Sequence, residues 1–159
     1  MTVTFTVPGS PTGKGRPRVT MQGGFARAYT PKETVNYENL VKLMYGQEAE
    51  GRKFEDDKPL HVMIVALYEI PKSVSKKKAE LMRTGEIRPN KKPDLDNIAK
   101  IICDALNSIA YRDDAQVAEL GVAKYYSDTP CVIVRITDAT NDLKKIMEVA
   151  GDDTETNDS

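Results

Sequence analysis

The chain has 159 residues, 40% hydrophobic and 30% charged, with a formal net charge of −1. That balance suits a soluble globule and excludes collagen-like, wholly disordered and disulfide-scaffold chains. One histidine and two cysteines leave too few clustered ligands for a zinc centre. The longest apolar stretch, around residues 62–67, falls far short of the roughly 20 residues of a membrane span. No basic-then-apolar leader opens the sequence, and Cys103 and Cys131 both lie in apolar runs, as reduced core thiols of a cytoplasmic protein do. The charge is segregated: residues 138–159 hold seven acids against two bases, which leaves +4 on the first 137. Residues 1–32 carry five bases and no acid, and residues 71–92 carry eight bases and two acids, a distribution that points to an anionic partner.

Residues 2–7 alternate polar and apolar and predict a strand, broken by the glycines and prolines of residues 8–15. Residues 16–29 are basic, glycine-containing and weakly alternating, which suits an extended loop or a ragged hairpin. Thr30 can cap a helix with Pro31 at its first position and Glu33 completing a capping box. Val35, Leu40, Val41, Leu43, Met44 and Tyr45 then supply an apolar side, and the helix ends before Gly51. Residues 60–70 predict a core strand. Ser75 caps a short basic helix to about Arg83, terminated by Gly85. A basic loop over residues 86–93 leads into a helix from Asp94 to about Ile109. A turn over 110–114 and strands over 117–126 and 131–137 follow. Residues 141–149 form a last helix, and residues 151–159 have almost nothing to bury and are expected to be disordered.

The chemistry concentrates between Lys91 and Val117. On a helical wheel Leu95, Ile98, Ile102, Ala105, Leu106 and Ile109 share one side, while Asp96, Lys100, Asp104 and Asn107 share the other. Asp94, just before the helix, is able to point to the same side as Asp96, and Asp113-Asp114 return one helix length later. Asp at a helix start also serves as a cap, and Asp-Asp in a turn as turn chemistry. If instead the carboxylates converge, hard oxygen donors without clustered His or Cys suit Mg²⁺ or Mn²⁺. Lys100, one turn beyond Asp96, is then placed to hold charge on a scissile phosphate.

In this order and with these gaps, Asp94-Leu95-Asp96-Asn97, Lys100, Asp104-Ala105-Leu106 and Asp113-Asp114-Ala115-Gln116-Val117 resemble the RusA family of Holliday-junction resolvases, small bacterial and prophage-encoded endodeoxyribonucleases. The likeness is strongest over residues 88–137 and extends to the first strand and to the loop Gly13-Lys14-Gly15-Arg16-Pro17-Arg18. The resemblance implies an α/β (α+β) fold over residues 1–150, with one mixed β-sheet and packed helices in a single domain. It also implies a homodimeric, Mg²⁺-dependent enzyme, with Mn²⁺ a possible substitute and no organic cofactor, that nicks a four-way DNA junction symmetrically. Carried over residue by residue, Asp94, Asp96 and Asp114 match the essential acidic residues that hold the metal, and Lys100 the essential lysine. Asp104 matches a recurrent acidic position, with Asp113 beside Asp114 in support. Lys14, Arg16, Arg18, Arg27, Lys91 and Lys92 are the expected DNA contacts. The glycine- and arginine-containing loop near the N-terminus departs from compact members. A nuclease for flaps or forks, or a non-catalytic DNA-binding accessory protein, are the alternatives.

Overall fold

The structure, a computed structural model, describes residues 1–151. Of the tail expected over 151–159, residues 152–159 lie outside the described residues. In chain order the elements are β1 (Thr2–Pro8), β2 (Arg18–Gln22), β3 (Phe25–Tyr29), α1 (Lys32–Ala49), β4 (Leu60–Glu69), α2 (Lys76–Arg83), α3 (Leu95–Ala105), a 3₁₀ turn (Asp114–Gln116), β5 (Val117–Ser127), β6 (Cys131–Asp138) and α4 (Leu143–Val149).

Alternation along β1 buries Val3, Phe5 and Val7 and exposes the threonines between them. The same period in β4 buries Leu60, Val62, Ile64, Ala66 and Tyr68 and leaves His61, Met63, Val65 and Leu67 half-buried on the opposite face. Four strands join in the order β1-β6-β4-β5. β6 runs antiparallel to both β1 and β4, whereas β4 and β5 are parallel. A parallel pair needs a long crossover, and residues 70–116 provide it, carrying α2 and α3. The fold is therefore α+β, with one mixed sheet, as expected, and a second, two-stranded sheet of β2 and β3.

α1 and α3 cover the buried face of the sheet. Tyr37, Val41, Tyr45 and Ala49 of α1 and Ile98, Ile101, Ile102 and Ala105 of α3 form one core with the strand residues. Phe5 and Tyr45 meet edge to face with ring centroids 5.7 Å apart. α2 closes a smaller cluster of Ile70, Ala79 and Met82, and Ser75 Oγ caps it by accepting from the Lys78 amide at 3.2 Å.

Three local expectations are corrected. The capping box at Thr30 and Glu33 does not form: Pro31, extended at ψ 142°, is the N-cap, and no side chain caps α1. On α1, Val41 and Tyr45 are buried and Leu40 and Met44 pack on the core as expected, but Val35 and Leu43 are exposed, and Thr34, Tyr37 and Ala49 complete the buried side at helical spacing. α3 stops at Ala105 rather than near Ile109. The chain turns there through Ser108, left-handed at φ 65°, and an Asn107–Tyr111 bridge.

Candidate active site

Asp94 stands at the N-cap of α3 with extended backbone (φ −69°, ψ 154°), yet its side chain makes no capping hydrogen bond. Its carboxylate accepts instead from Lys92 Nζ at 2.8 Å. The ordinary reason for an aspartate at a helix start is therefore absent. The buried stripe of Ile98, Ile101, Ile102 and Ala105 fixes the rotation of α3, so Asp96 and Lys100, one turn apart, both face outward. Lys100 Nζ lies 3.2 Å from Asp104 Oδ2 on the next turn.

The segment after α3 brings the second acidic group back. Asn107 Oδ1 accepts from the Asp114 amide at 2.8 Å, and the Tyr111 carbonyl accepts from the Ser108 amide at 2.8 Å. Tyr111 is fully buried and its hydroxyl donates to the Cys103 carbonyl at 2.8 Å, tying the turn to α3. Gln116 fastens the other end by donating to the carbonyls of Glu55 and Lys58 at 2.9 and 3.1 Å. The two neighbouring aspartates divide their work. Asp113 caps the 3₁₀ turn, accepting from the Ala115 amide at 2.8 Å, while Asp114 lines a hollow of about 360 Å³. Asp96 and Lys100 of α3 and Val117 and Leu120 of β5 share that hollow.

Two of these carboxylates are pulled in opposite directions. Lys92 beside Asp94 holds its carboxyl below the usual carboxylate range, helped by the charge of Lys124. Partial burial, followed by repulsion from Asp113 and Asp104, pushes the Asp114 carboxyl up, with Lys100 opposing. The hollow is thus over-supplied with negative charge. Cys103 lines it too, but burial pushes its thiol up to about 11, so it is an inert packing group at neutral pH.

The donor set fits a hard cation. Asp96 and Asp114 offer carboxylate oxygens, the only sulfur is a protonated thiol, and His61 lies on the sheet face away from α3. Among the described residues no three of His, Cys, Asp and Glu stand close enough to hold an ion by themselves. Mg²⁺ is commonly bound by one or two carboxylates together with water and substrate phosphate, so two suffice. Asp94 lies outside the lining and is engaged by Lys92.

The basic residues fall into three groups. Lys14, expected as a DNA contact, is instead consumed inside the fold. Its ammonium bonds Glu38 of α1 and stands 3.3 Å from Asp104, and its amide donates to the Asn97 carbonyl at 3.0 Å. Burial alone would lower its pKa, but Glu38 and Asp104 raise it. That contribution to stability is present below the ordinary lysine value of about 10.4 and is lost as pH rises through the higher folded value. Lys14→Met, which strands the half-buried carboxylate of Glu38 and leaves Asp104 to Lys100 alone, is expected to cost about 1–3 kcal/mol in urea denaturation. Arg16, Arg18 and Arg27 are exposed on and beside the β2–β3 hairpin.

Lys91 and Lys92 form a basic rim with two partners that sequence reasoning missed, Lys72 and Lys124. Lys72, Lys91, Lys92, Pro93 and Tyr68 border a second hollow of about 500 Å³ next to Asp94. Lys124 Nζ donates to the Lys91 carbonyl at 2.7 Å and lies 5.6 Å from the Tyr68 ring, with Lys91 Nζ 5.8 Å from the same ring. Arg88 extends the rim, stacked 4.1 Å above Tyr125 while donating to the Lys124 carbonyl at 2.9 Å. Lys124 is the one cation of β5, and only the sheet places it beside Lys91, 33 residues earlier.

Comparison with known proteins identifies the family of the chain. The family model for the endodeoxyribonuclease RusA matches residues 8–137. YqaN of Bacillus subtilis (strain 168), whose own activity is uncharacterised, is 36% identical over 140 residues, spanning 87% of this chain and 97% of that protein. The matched span holds β4, β5, nearly all of β6, α3 and the acidic turn, and of β1 it includes only Pro8. On that coverage the chain belongs to the RusA family of endodeoxyribonucleases, hydrolases of the DNA backbone.

Proposed function

We propose that this protein is a structure-specific endodeoxyribonuclease that resolves four-way DNA junctions by Mg²⁺-dependent phosphodiester hydrolysis, acting as a homodimer. The observation that carries the reading is the convergence of Asp96, Lys100 and Asp114, from two separate segments, on one hollow flanked by a basic rim. Four-way junctions are recognised by shape and phosphates, which a rim of lysines and an arginine without an obvious base-reading helix suits. Two active sites related by a two-fold axis match the symmetry of the junction.

Asp96 and Asp114 are the residues that would hold the cation, with Asp94 joining them on release from Lys92. The bound ion would supply charge neutralisation at the phosphodiester and a lower pKa for the attacking water. Lys100 would meet negative charge developing on the scissile phosphate, with Asp104 Oδ2, 3.2 Å away, orienting its ammonium. Lys72, Lys91, Lys92 and Lys124 hold the backbone on the Asp94 side. Lys124→Ala is accordingly expected to weaken junction binding about 3- to 10-fold and to reduce the salt dependence by about one phosphate contact in a salt titration.

The deciding experiment incubates a synthetic mobile four-way junction, a linear duplex and a flap with the protein, in Mg²⁺ and in EDTA. Paired symmetric nicks confined to the junction and lost in EDTA support the reading. Junction binding without cleavage in Mg²⁺ or Mn²⁺ marks an accessory protein, and preferential flap cleavage keeps the chemistry but overturns the substrate.

A further inference from the structure

The β2–β3 hairpin is the part of the molecule that the active site leaves unexplained. Every residue from Arg18 to Tyr29 except Thr20 is exposed, including Val19 and Met21 at 69% and Phe25 at 76%. Gly23 and Gly24, at φ 59° and 79°, close it with a two-residue turn of the kind whose twist matches the strands. Isolated two-stranded ribbons are marginal in water, so a projecting one is best accounted for by what it binds.

The pairing register sorts its side chains. Arg18 pairs with Tyr29, Thr20 with Arg27 and Gln22 with Phe25, which puts these six on one face. Val19, Met21, Ala26 and Ala28 make up the other. The first face carries two arginines, two aromatic rings and no acid, with Phe25 at the tip. Both ends of the hairpin are fastened beside the active site. Before β2, a Cβ on Gly13 would lie 2.9 Å from Pro93 Cβ, so that backbone packs directly on the approach to α3, and Gly15 donates to Thr34 Oγ1 at 3.1 Å. After β3, the chain runs straight into α1 through Pro31. The ribbon therefore projects from the neighbourhood of Asp94, with a reach of about 17 Å for a five-residue strand.

We infer that this ribbon is a branch-point probe: Phe25 inserts into the base stack where the DNA arms diverge, while Arg18 and Arg27 grip the flanking phosphates. The proposal rests on the nuclease reading above and adds the element that selects branched over continuous DNA. Inserting an apolar side chain between base steps costs stacking energy, and that cost is least where stacking is already broken. A ribbon of two strands also has the dimensions of a groove-lying element, and the absence of any acid in residues 1–32 matches a polyanion rather than a protein surface.

The test compares wild type, Phe25→Ala and an Arg18→Ala/Arg27→Ala double variant in EDTA, on a four-way junction with 2-aminopurine at the branch and on a continuous duplex. Wild type should raise the 2-aminopurine fluorescence. Phe25→Ala should abolish that rise and bind the junction about tenfold more weakly, with duplex affinity unchanged. The double variant should weaken both substrates and lower the salt slope by about 2. Because Phe25 is exposed, its replacement should leave the melting temperature unchanged. Wild-type affinities and fluorescence in Phe25→Ala overturn the probe while leaving junction cleavage standing. Dissociation of a dimer by the same variant, read by sedimentation, also overturns it and assigns the ribbon to contact between copies. If wild type itself does not prefer the junction to the duplex, the probe and the resolvase reading fall together.

Discussion

Asp114→Asn is expected to lower cleavage of a four-way junction by at least about 10³-fold while leaving junction binding nearly intact. Asp114 is the acidic group of the turn that faces the hollow shared with Asp96 and Lys100, and its neighbour Asp113 is already occupied as a cap. The asparagine keeps the shape and the backbone bond to Asn107 but removes a charged oxygen donor. It also removes repulsion toward phosphate, so affinity should not fall. A second readout separates this role from a structural one. Burial and the charges of Asp113 and Asp104 raise the Asp114 pKa, so the folded state binds that proton more tightly than the unfolded chain. The ionised carboxylate is therefore a burden on stability at neutral pH, one that disappears as pH falls below the ordinary aspartate value of about 3.9. Asp114→Asn should melt at a higher temperature than wild type at pH 7, and the difference should vanish in acid.

Asp94→Asn is the informative companion. Lys92 depresses the Asp94 pKa, so any stability from that pair is present above the unfolded value and fades as pH falls. The group is exposed, and the variant should show no gain in melting temperature. Cleavage should still be lost if Asp94 turns from Lys92 toward the substrate. Cleavage at the wild-type rate would remove Asp94 from the site and leave Asp96 and Asp114 as its carboxylates.

The second large effect lies in the core. Tyr111→Ala should destabilise the protein by about 3–5 kcal/mol in urea denaturation, a large part of the roughly 5–15 kcal/mol a domain has in total. Tyr111 is fully buried, and its ring fills the space between α3 and the returning turn. Its hydroxyl is the only side-chain group bonding the Cys103 carbonyl among the described residues, at 2.8 Å. Tyr111→Phe keeps the ring and should cost only about 1 kcal/mol. The pair also tests how the site is held. If the turn presents Asp114 because Tyr111 packs it, the alanine variant loses cleavage well below its melting temperature and the phenylalanine variant retains it. A cost below about 1 kcal/mol for the alanine would show that Tyr111 does not hold the turn.

Much of the architecture is legible in the sequence alone, and the legible parts share a cause. Strand alternation in β1, the Ser75 cap with Gly85 (φ 84°) past the end of α2, and the single apolar stripe of α3 each depend on residues within about four positions of one another. The spacing of Asp94, Asp96 and Lys100 is nearly as local, and with Asp114 following 14 residues later it is enough to indicate the family. Where local cues competed, they misled. Of the apolar side expected for α1, Val41 and Tyr45 are buried and Leu40 and Met44 pack on the core, but Val35 and Leu43 are exposed and Tyr37 takes an unexpected core position. The tertiary structure alone decided that Lys14 would be spent on Glu38 and Asp104, 24 and 90 residues away, instead of reaching DNA. It also set Lys124 beside Lys91, chose Asp113 as the cap and Asp114 as the wall of the hollow, and left the arginine hairpin projecting. These outcomes turn on which charges and surfaces meet between segments distant in the chain. Their energies depend on distance and burial in three dimensions, and the order of residues along the chain does not specify either.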